Sequence, residues 1–147
     1  KARMLIEQKE TGLTEQIIRE VQSAQVENEC TLVSLHEEAL VEARQINSKI
    51  DRGFFIIRPG IYNIEEICER VDPKLFIVWP AAVQREYIEK AVVNGITVRC
   101  GFKDDQTIEQ LREHFQVLVE MGVTEFSCGR PDWIKQLIKE NNSVDYE

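Results

Sequence analysis

The chain has 147 residues, 43% of them hydrophobic, and its 26 acidic side chains outnumber its 18 lysines and arginines to give a net charge of −8 and a pI near 4.9. That length and apolar content suffice for one ordinary domain with a real core. The acidic balance argues against nucleic acid and against an anionic membrane surface as partners. No run approaches the ~18 apolar residues of a spanning helix and no signal-peptide core opens the chain, so a soluble, cytoplasmic protein is expected. The chain begins with Lys1 directly ahead of a strand, which points to a missing upstream part. Cys30, Cys68, Cys100 and Cys128 stand singly, without a Cys-x-x-Cys pair. They read as buried, reduced packing thiols and fit a reducing compartment.

An apolar strand followed by an amphipathic helix recurs six times, with a repeat of roughly 22 to 28 residues. The first strand covers 4–8; Gly12 and Thr14, a candidate N-cap, then lead to Leu13, Ile17, Ile18 and Val21 at helical spacing. Cys30-Thr31-Leu32-Val33 is the second strand. Ser34 and Glu37 have capping-box spacing ahead of a helix whose stripe is Ala39, Leu40, Ala43, Ile46 and Ile50. Phe54-Phe55-Ile56-Ile57 is the third strand, stopped by Pro59-Gly60; Asn63 caps a short helix through Ile64, Ile67 and Val71, which Asp72-Pro73 breaks.

Leu75-Phe76-Ile77-Val78-Trp79 is a continuous apolar run of the kind buried on both faces. Pro80 ends it, and a helix over 82–93 closes at Asn94-Gly95. Ile96-Thr97-Val98 is the fifth strand, and Lys103-Asp104-Asp105 turns the corner into a helix carrying Ile108, Leu111, Phe115, Leu118 and Val119. The sixth strand spans 123–128; Gly129-Arg130-Pro131 opens a last helix through Trp133, Ile134, Leu137 and Ile138, and 141–147 is a polar, frayed tail.

Strands alternating with helices are βαβ units, so the fold class is α/β with a parallel sheet. Two architectures accept six such units: a complete doubly wound open sheet, or most of an eight-stranded (β/α) barrel of TIM type with its first strands absent. A doubly wound nucleotide binder needs a glycine-rich turn after its first strand, and here that turn is Lys9-Glu10-Thr11-Gly12.

In parallel α/β folds, ligands bind at the C-terminal ends of the strands. Glu7 and Lys9 sit there at i and i+2, so both side chains point the same way, with Gln8 opposite. A carboxylate so placed can hold a hard cation through oxygen, and the ammonium can neutralise a phosphate oxygen. The same pair also reads as a strand-end ion pair worth at most ~1 kcal/mol. His36 lies close to the end of the second strand and reads as a catalytic histidine or a solvated surface residue; His114 lies on a helix away from any strand end and reads as a surface residue. Trp79 reads as core or as an apolar wall over a ligand. Arg58 and Arg99, near the ends of the third and fifth strands, would serve a phosphate site or are ordinary surface arginines.

Leu5-Ile6-Glu7-Gln8-Lys9, Leu32-Val33-Ser34-Leu35-His36-Glu37-Glu38-Ala39-Leu40, Gly122-Val123-Thr124-Glu125-Phe126 and Gly129-Arg130-Pro131-Asp132 occur in an order that resembles the later part of the glycerophosphodiester phosphodiesterase family, which are TIM barrels. That family carries a Leu-x-Ile-Glu-x-Lys strand, then an apolar strand ending in Ser before a Glu-Ala-Leu helix, and finally a Gly-Val-Asp strand leading to Thr-Asp-Arg-Pro. The family's Trp-Thr-x-Asn segment is replaced here by Val98-Arg99-Cys100-Gly101-Phe102, and the aspartate before Arg-Pro by Gly129.

The resemblance implies that residues 1–147 are a single domain, the C-terminal part of such a barrel. It implies metal-dependent hydrolysis of glycerophosphodiesters, small substrates of lipid metabolism, to an alcohol and glycerol phosphate. Glu7 then corresponds to a ligand of a divalent cation (Mg²⁺ or Ca²⁺), and Lys9 to a catalytic lysine near the scissile phosphate. Arg99 and Trp79 are the expected substrate-binding residues. The family's acid–base histidines lie in early strands that this chain lacks, so an upstream segment or a second polypeptide is expected to complete the barrel, and the chain alone is expected to be inert. Two rival readings stand beside this one: a non-catalytic barrel remnant acting as a binding or scaffold module, and a complete flavodoxin- or receiver-like open sheet. Strand order separates the last from the barrel.

Overall fold

The computed structural model of the chain describes residues 3–144, in which all six strand–helix units are present. The strands are β1 (Met4–Gln8), β2 (Cys30–Ser34), β3 (Asp51–Ile56), β4 (Leu75–Val78), β5 (Thr97–Gly101) and β6 (Glu125–Ser127). The helices are α1 (Thr14–Ser23), α2 (Glu37–Ile46), α3 (Ile64–Val71), α4 (Arg85–Val93), α5 (Ile108–Glu120) and α6 (Pro131–Val144). Every strand pairs in parallel with its neighbour in the chain, in the order β1-β2-β3-β4-β5-β6. A doubly wound sheet would reverse at a switch point; sequential order is barrel order. The fold is therefore α/β, six βα units of a TIM-type barrel, arranged as a half-barrel in which β1 and β6 are the outermost strands among the described residues.

Alternation along each strand separates two apolar layers. Leu32, Phe54, Ile56, Phe76, Val78, Val98 and Cys100 face the helices and pack against Ile18, Leu40, Ile67, Ile88, Leu111 and Leu137 in the main core. The other face is the inside of the half-barrel, where Val33, Leu75 and Ile77 pack together with Leu5 and Phe55. Gly53 belongs to this inner face because nothing larger fits: a Cβ there would sit 2.8 Å from Val33 Cγ1 and 3.2 Å from the Leu75 carbonyl.

One buried charge holds the helix layer to the sheet. Arg52, at the start of β3, is 1% exposed. It donates to the carbonyls of Val71 (2.8 Å), Ile50 (2.7 Å), Ser48 (3.2 Å) and Asp72 (3.1 Å), and to the Asp72 carboxylate (3.1 Å). Asp72 ends α3 in the left-handed region at φ 49°, which aims its groups back at Arg52.

Several local boundaries differ from the sequence expectations, each for a visible reason. Ser34 does not cap α2; it is the buried last residue of β2, and its hydroxyl donates to the Gln8 carbonyl (2.7 Å) and accepts from the His36 amide (3.0 Å). Thr14 lies inside α1 rather than capping it, because its hydroxyl accepts from Gln8 Nε2 (3.1 Å). Ile50 is buried beyond the end of α2, on the approach to β3. The helix expected over 82–93 divides into a 3₁₀ turn, Pro80–Ala82, and α4, because Val83 and Gln84 are extended and the Gln84 side chain accepts from the Gly60 amide (3.0 Å). Cys128 falls just past β6. Residues 141–144 continue α6 instead of fraying, and the rest of the expected tail, 145–147, lies outside the described residues.

Candidate functional site

Glu7 is in register with Val33 of the inner cluster and alternates with inward-facing Leu5, so it points into the half-barrel. Lys9 follows one step on at the C-terminal mouth, with its ammonium 3.9 Å from a Glu7 carboxylate oxygen. Both are open to solvent, Lys9 at 76%. At that distance and exposure the pair gains at most ~1 kcal/mol from itself, so the ammonium remains available to an anion. Gln8 turns the other way, as alternation requires. It is buried, and its amide donates to the Glu10 carbonyl (2.8 Å) and to Thr14 (3.1 Å). These bonds fix the direction in which the chain leaves β1.

The structure adds His36 to this corner. Its Nε2 lies 3.1 Å from the Lys9 carbonyl oxygen and donates to it in the Nε2–H tautomer, with Nδ1 3.9 Å from Glu38. The signal in the sequence was Ser34-Leu35-His36: a hydroxyl two residues before a histidine folds the β2 exit back across β1.

Trp79 immediately follows β4 with extended backbone and alternates with the inward Leu75 and Ile77. It is 50% exposed at the mouth, so it is not a core residue. Arg58 is exposed beyond the end of β3.

Arg99 is inward-facing too but sits apart from Glu7, Lys9 and Trp79. Its Nε (2.9 Å) and Nη2 (2.6 Å) both bond one oxygen of Glu125. It lines a cavity of about 360 Å³ with Arg3, Asp51, Lys74, Thr97 and Glu125, residues at or near the N-terminal starts of their strands. Arg3 and Asp51 are themselves paired there. In α/β barrels that end carries stability and the opposite end carries chemistry.

His114 is nearer a strand end than its place in the sequence suggested. Residues 102–107 fold over α5, so that Gln106 Nε2 lies 2.6 Å from His114 Nδ1, and the ring lines a cavity of about 260 Å³ with Pro80, Gly101, Phe102 and Lys103.

Among the described residues, no three His, Cys, Asp or Glu side chains converge to hold a metal ion. Glu7 offers a single oxygen ligand with an ammonium beside it, and does not constitute a cation centre with the other described residues. No described helix is long and apolar enough to cross a membrane, and all four cysteines are free.

No protein-family model matches the sequence, and no curated protein does. Solved structures match in fold. A glycerophosphoryl diester phosphodiesterase from Parabacteroides distasonis aligns with a TM-score of 0.74 at 15% identity, over 95% of this chain and 51% of its own. An Oleispira antarctica phosphodiesterase, solved with the product sn-glycerol-3-phosphate, aligns at 0.69 and 18%, over 93% and 55%. A native KDPGal structure aligns at 0.63 and 17%, over 93% and 66%. The chain spans about half the length of the phosphodiesterases it matches. At these identities the likeness is one of fold: six consecutive βα units, as in part of a phosphodiesterase barrel.

Proposed function

We propose that this chain is the C-terminal part of a barrel that hydrolyses glycerophosphodiesters to an alcohol and glycerol phosphate, a step of cytoplasmic lipid metabolism. The observation that carries the reading is the placement of Glu7 and Lys9 together, 3.9 Å apart, on the inner face at the C-terminal mouth of a sequentially ordered parallel half-barrel. Phosphodiesterase structures share that half-barrel.

In this reading Lys9 holds a phosphate oxygen and offsets charge developing on it during P–O cleavage. The Gln8 and His36 hydrogen bonds on either side of Lys9 keep its backbone in place. Glu7 is the residue of this chain positioned to give an oxygen ligand to a divalent cation, Mg²⁺ or Ca²⁺. The remaining ligands and the acid–base pair belong to βα units beyond these six, supplied by an upstream segment or a second polypeptide. Trp79 borders the substrate. Arg99, bonded to Glu125 in the lower cavity, supports the pocket from beneath rather than from within it.

The test is glycerophosphocholine hydrolysis with Mg²⁺ or Ca²⁺, run in parallel on the 147-residue chain and on the protein purified from its native source, with intact mass recorded. The expected result is no turnover by the chain alone. The native preparation is expected to turn over substrate and to show a mass above 17.1 kDa or a bound second chain. Turnover by the isolated chain would overturn the shared-site reading, and an inactive, cation-replete native preparation would overturn the hydrolase reading.

A further inference from the structure

The polar groups around the cavity beside His114 are fixed by a chain of hydrogen bonds. Lys103 donates its backbone N–H to Gln106 Oε1 (3.0 Å), which sets the flip of that amide. The amide nitrogen is therefore the atom facing His114 Nδ1, at 2.6 Å. It can only donate, so Nδ1 is the acceptor and the ring hydrogen sits on Nε2. Both side-chain acceptors of the chain are thereby used. What remains to offer is donors: the second amide hydrogen of Gln106, Nε2–H of His114, and the Lys103 ammonium, which makes no ion pair among the described residues.

These three residues line one cavity of about 260 Å³, whose other walls include Pro80, Val83, Phe102, Val117 and Leu118. Phe102 makes a firm floor: it is 8% exposed and its ring stacks on Phe126 at 5.9 Å, which in turn packs on Phe115 at 4.9 Å. Val117 is 43% exposed at the rim. No carboxylate lines the cavity, although the chain carries 26 acidic side chains. Asp104, next to Lys103, lines the adjoining cavity beside Gly129 and Arg130 instead. Every lining residue comes from the units that begin at β4 and β5, so strands added beyond β1 or β6 contribute nothing to it.

We propose that this cavity is a binding site for a small organic anion, a monocarboxylate with an apolar body. Spare donors without a carboxylate among them are the complement of a ligand group that only accepts. The apolar wall takes the rest of the molecule; a phosphate would press hydrated, charged oxygens against Val83, Phe102 and Leu118. At the ~30 Å³ that a water occupies, the cavity of about 260 Å³ holds about nine heavy atoms. The site uses neither Glu7 nor Lys9 and stands whether or not the chain takes part in phosphodiester hydrolysis.

Benzoate matches that size and is the probe. Its binding to the protein is followed by ¹H–¹⁵N titration of the backbone amides. Long-range ¹H–¹⁵N spectra near pH 8, above the ordinary histidine range, read the rings of the two histidines. The expected result is saturable shifts confined to residues 101–107 and 114–118, with a Kd of about 1 mM or below. The His114 ring should be protonated at Nε2, with that resonance moved by benzoate while His36 stays put. Benzyl alcohol (same body, no charge) and inorganic phosphate (charge, no body) should each bind at least about tenfold more weakly. Lys103→Gln should weaken benzoate at least about fivefold, and Val117→Asp, which places a carboxylate at the rim, at least about tenfold. Both positions are exposed, and circular dichroism of each variant confirms the fold.

Benzyl alcohol binding as tightly as benzoate would make the cavity an apolar gap, and phosphate binding as tightly would make it a charge site without a body pocket. Either result overturns the proposal, as does the absence of saturable shifts at ~10 mM benzoate. A His114 ring protonated at Nδ1 overturns the donor arrangement on which it rests.

Discussion

Arg52→Met keeps the length of the side chain and removes all of its hydrogen bonds. Burial lowers the guanidinium's pKa, and the Asp72 charge works the other way. The parent therefore carries a buried cation, compensated by five oxygen contacts between 2.7 and 3.2 Å. Two of the accepting carbonyls, those of Ile50 and Val71, belong to buried residues. Each left unpaired costs about 1–3 kcal/mol, or about 2–6 kcal/mol together. Removing the cost of burying the charge offsets part of this. A net loss of about 2–4 kcal/mol follows, against a total stability of about 5–15 kcal/mol for a domain. Urea unfolding followed by circular dichroism should show the midpoint falling by at least about 1 M at unchanged slope. Arg52→Lys, which keeps the charge but has fewer donors, should fall between the two. A methionine variant within about 0.3 M of the parent would refute the view that this side chain locks β3 to the end of α3.

Packing and charge elsewhere in the sheet layer set three further outcomes. Gly53→Ala should destabilise by about 1–3 kcal/mol in the same urea assay, because its Cβ meets Val33 Cγ1 at 2.8 Å and a backbone carbonyl at 3.2 Å, where nothing can yield cheaply. Partial burial disfavours ionisation of Asp72, but the hydrogen bond from Lys74 and the charges of Lys74 and Arg52 outweigh it and hold the carboxyl below its ordinary 3.8. Its contribution is thus complete above that value and lost as pH falls through the lower folded pKa; Asp72→Asn should flatten the decline in thermal midpoint below about pH 4. Burial pushes the Cys100 thiol up to about 12, so mass mapping after iodoacetamide treatment of the native protein near pH 8 should find Cys100 and the fully buried Cys30 unmodified while Cys128 reacts, with Cys68 slower than Cys128 because partial burial and the Glu65 charge raise its thiol pKa.

The fold was readable because its signals are local and repeated. Six apolar runs, each followed by a helical stripe, stand where the strands and helices fall, and Asn63 caps α3 as expected, accepting from the Glu66 amide at 3.3 Å. Spacing alone could not separate a barrel from an open sheet, because strand order depends on which edges meet and not on what each strand contains; the Glu-x-Lys strand and the Arg-Pro turn supplied that distinction. The i, i+2 geometry of Glu7 and Lys9 was legible for the same reason as the strand itself. His36 was not, because its contact with the Lys9 carbonyl spans 27 residues. Nor was the role of Arg52, whose acceptors lie in the α2–β3 approach and at the end of α3. Arg99 reads as a mouth residue from its position late in a strand; only the Glu125 pairing places it in the lower cavity.

The most direct test of the central claim is phosphodiester turnover by the protein purified from its native source, compared with its Glu7→Gln and Lys9→Met variants expressed in the same background, with and without chelator. Hydrolysis of the phosphodiester should stop on chelation and fall at least ~100-fold in each variant. Hydrolysis that continues undiminished when Glu7 and Lys9 are replaced would contradict it.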